Sequence, residues 1–83
     1  MYKIEFSETG EKQFFKLPLK DQKRLLNVLE RIKIRPYHYI KRKEGSDNFI
    51  LRFVEYRAIL EINNRLKIIY VIDAGHRKDI YKK

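Results

Sequence analysis

The fold of this 83-residue chain is decided by one stretch, residues 49–72, which reads FILRFVEYRAILEINNRLKIIYVI. Three β-rich runs lie within it, at 49–54, 57–62 and 65–72. Asn63 and Asn64, between the last two runs, are candidates for a two-residue turn because asparagine tolerates positive φ. The stretch therefore predicts three consecutive antiparallel strands.

The residues before this stretch predict one strand and two helices. Residues 2–6 alternate apolar and charged, and Ser7 is a good N-cap for a helix that begins at Glu8. Pro18 separates this helix from a second one over 19–34, which Pro36 stops. A short last strand is predicted over 76–81. The order β-α-α-β-β-β predicts an α+β fold in which a small antiparallel sheet is packed on one face by an N-terminal helical hairpin. Residues 1–83 are predicted to form a single domain.

The alternation of strand residues predicts which side chains share a face of the sheet. The inward set is Phe49, Leu51, Phe53, Ala58, Leu60, Ile62, Leu66, Ile68, Tyr70, Ile72 and Ile80. The outward set is Ile50, Arg52, Val54, Arg57, Ile59, Glu61, Arg65, Lys67, Ile69, Val71, Arg77, Asp79 and Tyr81. A face that is partly apolar and carries several guanidinium groups suits a phosphate backbone with bases lying against it. A charged, solvated face is also usual for an antiparallel sheet, so this alternation of side chains (their parity) does not by itself establish a site.

The charge of the chain favours a polyanionic partner. Twenty Lys and Arg residues against eleven Asp and Glu residues give a net charge of +9. Nucleic acid is the commonest large polyanion, although an anionic membrane surface or an acidic protein would fit the charge equally well. The basic residues are spread along the chain, so we expect a folded face to bind. Lys41, Arg42 and Lys43 form a basic loop that is either simply solvated or part of a polyanion track.

The composition excludes several classes of protein. The chain has no cysteine and only two histidines, His38 and His76, so disulfides, thiolate chemistry and a structural zinc site are not expected. The longest unbroken apolar run, from Ile68 to Ile72, is far too short to span a bilayer. The N-terminus has no export signal, which predicts a cytoplasmic protein. The three glycines are too scattered to form a phosphate-cradling loop.

Two short motifs carry a family resemblance. They are RFVEYR at residues 52–57 and HRKDIY at residues 76–81. The chain resembles the RelE/ParE superfamily of toxins from toxin–antitoxin systems, and more particularly its RelE branch. That family typically shows Arg-x-Gly-Asp-Tyr-Arg followed by an apolar strand and then His-Arg-x-x-x-Tyr. The resemblance covers the whole chain, including the opening strand and the helical hairpin.

The resemblance implies a function for this surface. It implies a ribosome-dependent endoribonuclease that cuts messenger RNA and is held inactive by a RelB-like antitoxin. The 2′-hydroxyl attacks the adjacent phosphate, and no metal or cofactor is needed. By position, Arg57 and Arg77 would hold the scissile phosphate, and Tyr81 would stack on a base or take part in proton transfer. The further RNA- or phosphate-binding residues would be Arg52, Arg65, Lys67, Lys41, Arg42 and Lys43.

The chain departs from the RelE pattern at a few positions. Val54 stands where the motif has glycine, and Asn48 and Ile50 stand where well-studied RelE toxins carry lysines. If those lysines act as the general base, this chain has lost the base or moved its task elsewhere. Histidine is the residue type most often used as a base near neutral pH, but alternation turns His76 toward the core, so no base is assigned.

Two other functions fit the sequence. A ParE-like protein would use the same fold to inhibit DNA gyrase without nuclease activity, although the Arg77 and Tyr81 pattern argues against it. A non-catalytic module would bind nucleic acid with strong salt dependence and leave no new RNA ends.

Overall fold

A computed structural model describes residues 1–80 and contains an open, five-stranded sheet with three helices. The elements are β1 (Lys3–Phe6), α1 (Glu8–Lys16), α2 (Leu19–Ile32), a 3₁₀ turn (Pro36–His38), β2 (Ile40–Arg42), β3 (Phe49–Phe53), β4 (Tyr56–Asn63), β5 (Ile68–His76) and α3 (Arg77–Ile80). The strand order in the sheet is β1-β5-β4-β3-β2. The predicted α+β class and the helical hairpin are confirmed.

The sheet is mixed, whereas the sequence predicted an antiparallel one. Strands β2 to β5 pair antiparallel, but β1 runs parallel to β5, with Lys3 opposite Ile68 and Phe6 opposite Val71. A parallel neighbour requires a long crossover between the two strands. The two helices and the β2–β4 segment supply that crossover, so β1 can lie at the edge beside the last strand.

The helical hairpin begins at the predicted cap. The Ser7 hydroxyl accepts a hydrogen bond from the Gly10 N–H at 2.9 Å, which satisfies one free donor in the first turn of α1. Pro18 is the N-cap of α2, in line with its predicted place between the helices. The inward face of α2 presents Leu25, Leu29 and Ile32, which join the core cluster with Leu51, Leu60, Ile69 and Val71 from the strands. Within residues 1–80, no helix has the length and apolar character needed to cross a membrane.

The parity predicted for the third run was wrong. Ile69 and Val71 are fully buried, while Leu66 is exposed. The reason is the antiparallel pairing, in which Ile69 lies opposite Ile62 and therefore shares its core-facing side. The turn covers residues 64–67, so β5 also begins later than predicted. A bulge then shifts the register, because Ile59 pairs with Asp73 while Leu60 pairs with Val71.

The last run was also predicted wrongly, because residues Arg77–Ile80 form a short helix and not a strand. The partner strand β4 begins at Tyr56, which pairs with His76. The Arg77 N–H still reaches the Glu55 carbonyl oxygen at 3.0 Å, but no strand residue remains beyond that point. Ile80 is buried as predicted. Tyr81 lies outside the described residues.

The loop between β3 and β4 places a strained residue at its tip. Phe53 pairs with Tyr56, which leaves Val54 and Glu55 as a two-residue hairpin loop, and Val54 has φ of +56°. A β-branched residue rarely adopts this left-handed conformation, which glycine occupies freely. Val54 is also exposed, so its side chain gains little from burial.

Replacing Val54 by glycine is therefore expected to stabilise the protein. Relief of the left-handed conformation should outweigh the added entropy of the unfolded chain, for a net gain of about 1 kcal/mol. The free energy of unfolding from urea titrations measures it. Val54→Ala keeps a Cβ at the same φ and should change stability much less. An equal gain for Val54→Ala would show that the exposed side chain, and not the backbone, is the source.

Candidate nucleic-acid interface

Two arginines lie directly opposite each other on neighbouring strands. Arg52 of β3 pairs with Arg57 of β4, and both point away from the helices because Leu51, Phe53 and Ala58 on either side are buried. This confirms the face predicted for the two arginines. Like charges placed opposite each other in a sheet destabilise it. An anion bound between the two guanidinium groups would remove that repulsion.

Arg57 is held by its own strand. One guanidinium nitrogen, Nη1, donates to the Tyr56 carbonyl oxygen at 2.9 Å, which fixes the side chain against the sheet. The Nε atom is buried and has no hydrogen-bond partner among residues 1–80. An unsatisfied buried donor is costly and calls for an explanation. A phosphate oxygen is a suitable acceptor for the remaining N–H groups of this guanidinium.

Arg77 stands at the same end of the sheet. Arg57 pairs with Gly75, and Arg77 follows two residues later at the first position of α3. Its side chain is exposed, and no hydrogen bond or ion pair within the described chain holds its guanidinium. The sequence placed Arg77 on a strand face. The structure instead places it at the start of a helix, where its guanidinium is open to solvent.

The loop lysines join Arg52 along a groove. The groove has a volume of about 330 Å³ and is lined by Lys41, Arg42, Lys43, Glu44, Ile50 and Arg52. Lys41 pairs with Ile50, which places it on the same face as Arg52. Arg42 is turned to the opposite face, where its guanidinium carbon lies 5.7 Å from the centre of the Phe49 ring.

Arg65 and Lys67 lie at the other end of the sheet. Both belong to the turn at residues 64–67, so their predicted place on a strand face was wrong. Asn63, the last residue of β4, lies six positions after Arg57, so about 20 Å of strand separates the two groups. The Lys67 ammonium lies 5.1 Å from the centre of the Tyr2 ring. Any contact that Arg65 or Lys67 makes with RNA is therefore distant from Arg57, and their phosphate-binding role stays a prediction.

The two positions at which the RelE-type pattern has lysine carry no cation here, and one of them, Ile50, lies in an apolar patch. Ile50 pairs with Ile59 on the open face, and Ile59 is only 6% exposed although its side chain points away from the helices, as predicted. Asn48 lies just before β3, and its N–H is bound by the Ser46 hydroxyl. Neither residue supplies a titratable group beside the arginines.

Two titratable side chains nearby are poorly suited to accept a proton. Partial burial, together with the negative charges of Asp21 and Glu55, raises the pKa of the Tyr56 phenol above its usual value. The phenol therefore stays protonated near neutral pH. The Nδ1 atom of His76 accepts the Lys78 N–H at 3.2 Å, so the neutral ring carries its proton on Nε2 and has no free lone pair.

His76 faces the side of the sheet that parity predicted, in contact with Tyr56. Its side chain is nevertheless 32% exposed, so it is not a core residue. Among residues 1–80, no three histidine or carboxylate side chains come together in a group that could hold a metal ion.

The architecture is that of known toxin structures. The sequence matches no protein-family model and no curated protein. The structure is similar to the toxin–antitoxin complex RelBE2 from Mycobacterium tuberculosis, with a TM-score of 0.82 and 22% identity over 92% of this chain and 98% of that chain. It is also similar to the archaeal RelE–RelB complex from Pyrococcus horikoshii, with a TM-score of 0.80 and 21% identity over 94% and 97% of the chains.

A third similar structure contains a toxin alone. The isolated RelE toxin from E. coli has a TM-score of 0.78 and 20% identity, over 99% of this chain and 93% of that chain. Nearly the full length of each chain takes part in these matches. The protein described here therefore has the fold of the RelE toxins.

Proposed function

We propose that this protein is the toxin of a type II toxin–antitoxin system and an endoribonuclease that cuts messenger RNA on the ribosome in the cytoplasm. The 2′-hydroxyl of a nucleotide attacks the adjacent phosphorus, the bond to the 5′-oxygen of the next nucleotide breaks, and a 2′,3′-cyclic phosphate remains. The observation that carries the proposal is the pairing of Arg52 with Arg57, at the sheet end where Arg77 begins α3.

The chemistry of the reaction explains why arginines suit this place. Negative charge builds up on the phosphate oxygens as the phosphorus is attacked, and fixed cations around these oxygens lower the barrier. Arginine keeps its charge at every physiological pH and presents several N–H donors in one plane. In the proposal, Arg57 and Arg77 bind the scissile phosphate, Arg52 binds beside it, and Tyr81 stacks on a base or takes part in proton transfer.

The groove beside Arg52 extends the proposed contact with RNA. Lys41 shares the open face with Arg52, and Lys43 lines the same groove. We infer that the messenger backbone follows this groove toward the paired arginines. Arg42 is proposed to reach a phosphate only from the rim, because its guanidinium lies over Phe49 on the other face.

The salt dependence of RNA binding tests this path. Each phosphate neutralised on a single strand contributes about −0.7 to the slope of log affinity against log salt. Arg52→Ala is expected to make the slope shallower by about 0.7, measured by fluorescence anisotropy with a labelled single-stranded RNA. The control is Lys20→Ala, which removes an exposed cation from the helical hairpin and should leave the slope unchanged. Equal slopes for Arg52→Ala and the unaltered protein would remove Arg52 from the RNA path.

The proposal also includes a partner. The M. tuberculosis structure is a toxin–antitoxin complex, and the P. horikoshii structure is a RelE–RelB complex. We infer that an acidic, RelB-like antitoxin neutralises this chain, because a net charge of +9 favours association with an acidic protein. Such a partner would inhibit by covering the open face that carries Arg52 and Arg57.

Paired assays separate this proposal from gyrase inhibition. Added to a cell-free translation system, the protein is expected to stop incorporation of labelled amino acids. Added to DNA gyrase with relaxed plasmid, it should leave supercoiling unchanged. If translation continued and supercoiling by gyrase stopped, the protein would instead be a ParE-like gyrase inhibitor. Inhibition of neither reaction, with RNA binding retained, would leave a nucleic-acid-binding module without catalysis.

A further inference from the structure

The tip of the β3–β4 hairpin meets the start of α3. The Glu55 carbonyl oxygen accepts the Arg77 N–H at 3.0 Å. The carboxylate of the same residue lies 3.8 Å from His76, measured from Oε2 to Nε2. The His76 ring in turn packs edge-on against Tyr56, with 5.7 Å between ring centres. The hairpin therefore contacts the chain both at Arg77 and immediately before it.

The residue after Arg77 is anchored as well. The Lys78 N–H donates to Nδ1 of His76 at 3.2 Å. The peptide N–H groups on the two sides of the Arg77 Cα are thus both bonded, one to Glu55 and the other to His76.

These anchors matter because the Arg77 side chain is exposed and has no hydrogen-bond or ion-pair partner of its own within residues 1–80. Helix α3 has only four residues, which is too short to be stable without other contacts. The direction in which the Arg77 side chain leaves the backbone is consequently set by the two anchored amides and by the buried Ile80 side chain.

We propose that Glu55 and His76 are positioning residues, which fix the backbone at Arg77 so that its guanidinium meets the reacting phosphate. The inference rests on the proposed function and adds to it two residues that act through Arg77. His76 accepts the Lys78 N–H, and Glu55 accepts the Arg77 N–H and faces the His76 ring. Neither residue needs to touch RNA.

Substitution at these positions should leave the fold intact. The side chains of His76 and Glu55 are 32% and 69% exposed, and a polar contact between side chains so open to solvent contributes little to stability. A small displacement of a catalytic group is nevertheless enough to slow a reaction severalfold or more. Substitutions at Glu55 and His76 should therefore lower the cleavage rate and leave the melting temperature unchanged.

The experiment measures the rate of cleavage of a ribosome-bound messenger over a range of protein concentrations. His76→Ala is expected to lower the maximal rate about tenfold, with little change in the half-saturating concentration. His76→Asn should restore most of the rate, since an asparagine side chain accepts the N–H two residues further along the chain. Glu55→Gln should cost about threefold. Glu61→Gln, which removes an exposed carboxylate elsewhere on β4, is the control and should match the unaltered protein.

A second background separates positioning from a general structural role. In a protein that already carries Arg77→Ala, adding His76→Ala should not lower the cleavage rate further, because the guanidinium that His76 positions is already absent. An equal loss in both backgrounds, or no loss in either, would overturn the inference while leaving the nuclease function in place.

Amide hydrogen exchange gives a readout that does not depend on cleavage. Exchange at Lys78 should speed up in His76→Ala and return toward the original rate in His76→Asn. Unchanged exchange in His76→Ala would overturn the anchor. Faster exchange in a protein that makes no cuts would instead contradict the proposed function.

Discussion

Arg77→Ala should lower the rate of messenger cleavage by about 10²–10³-fold, which is the loss expected when one preorganised donor to a developing oxyanion is removed. The side chain is exposed and makes no hydrogen bond or ion pair within the described chain, so its loss should not alter the fold. The measurement is the initial rate of cleavage on programmed ribosomes, accompanied by a thermal melt to establish that the variant is folded.

The matched control for Arg77→Ala is Lys78→Ala. Lys78 is the next residue in α3, carries the same charge and is equally exposed. Its replacement should change the rate by no more than a few-fold. Many residues on this surface carry a positive charge, but in the proposal Arg77, and not Lys78, is placed to meet the scissile phosphate. Similar losses for the two variants would indicate a general electrostatic attraction. Full activity in a folded Arg77→Ala would remove Arg77 from the catalytic group.

Gly10→Ala should destabilise the protein more than any other exchange of a glycine for alanine in this chain. A Cβ built at Gly10 would lie 1.9 Å from the carbonyl oxygen of Val71 and 2.8 Å from its carbon. Both are backbone atoms of β5, which has a strand on each side, so no flexible side chain can move aside. Helix α1 would have to shift away from the sheet, at a cost of about 3 kcal/mol or more. The free energy of unfolding in urea measures it.

Gly75→Ala is the comparison for this prediction. The nearest atom to a Cβ at Gly75 is Ile80 Cδ1 at 3.8 Å, which is ordinary van der Waals contact. The expected change in stability is below about 1 kcal/mol. If Gly10→Ala were as mild as Gly75→Ala, the close approach of α1 to β5 would be wrong.

Local patterns in the sequence were sufficient for some parts of this fold. The N-cap at Ser7 and the face shared by Arg52 and Arg57 were both predicted correctly. A helix cap depends on a few adjacent residues. In a hairpin with a short loop, the alternation of residues along each strand determines which side chains share a face. Such features need no knowledge of distant parts of the chain.

Features that depend on distant partners were not predicted. The parallel pairing of β1 with β5 joins the two ends of the chain, and alternation within β1 cannot show its direction. No local pattern around Gly10 shows that it lets α1 approach the Val71 carbonyl, because that carbonyl lies some sixty residues further along the chain. The helix at Arg77–Ile80 forms because the partner strand ends, which is a property of β4 and not of the HRKDI sequence itself.

The candidate site shows the same division. Alternation indicated Arg52 and Arg57, and the motif resemblance indicated Arg77. The third β-rich run gave wrong faces for Arg65 and Lys67 because a longer turn delays the start of β5. The contacts of Glu55 and His76 with the start of α3 were missed. One signal was available, since a side-chain acceptor two residues before an N–H can close a local turn.

The most direct measurement is to map the ends of a messenger translated in a cell-free system, with and without this protein. The account predicts new 3′ ends that carry a 2′,3′-cyclic phosphate, lie at defined positions within codons and appear only when ribosomes are engaged. An intact messenger, with translation continuing, would contradict the nuclease function of the paired arginines and of Arg77. Equal cutting of free RNA would contradict its dependence on the ribosome.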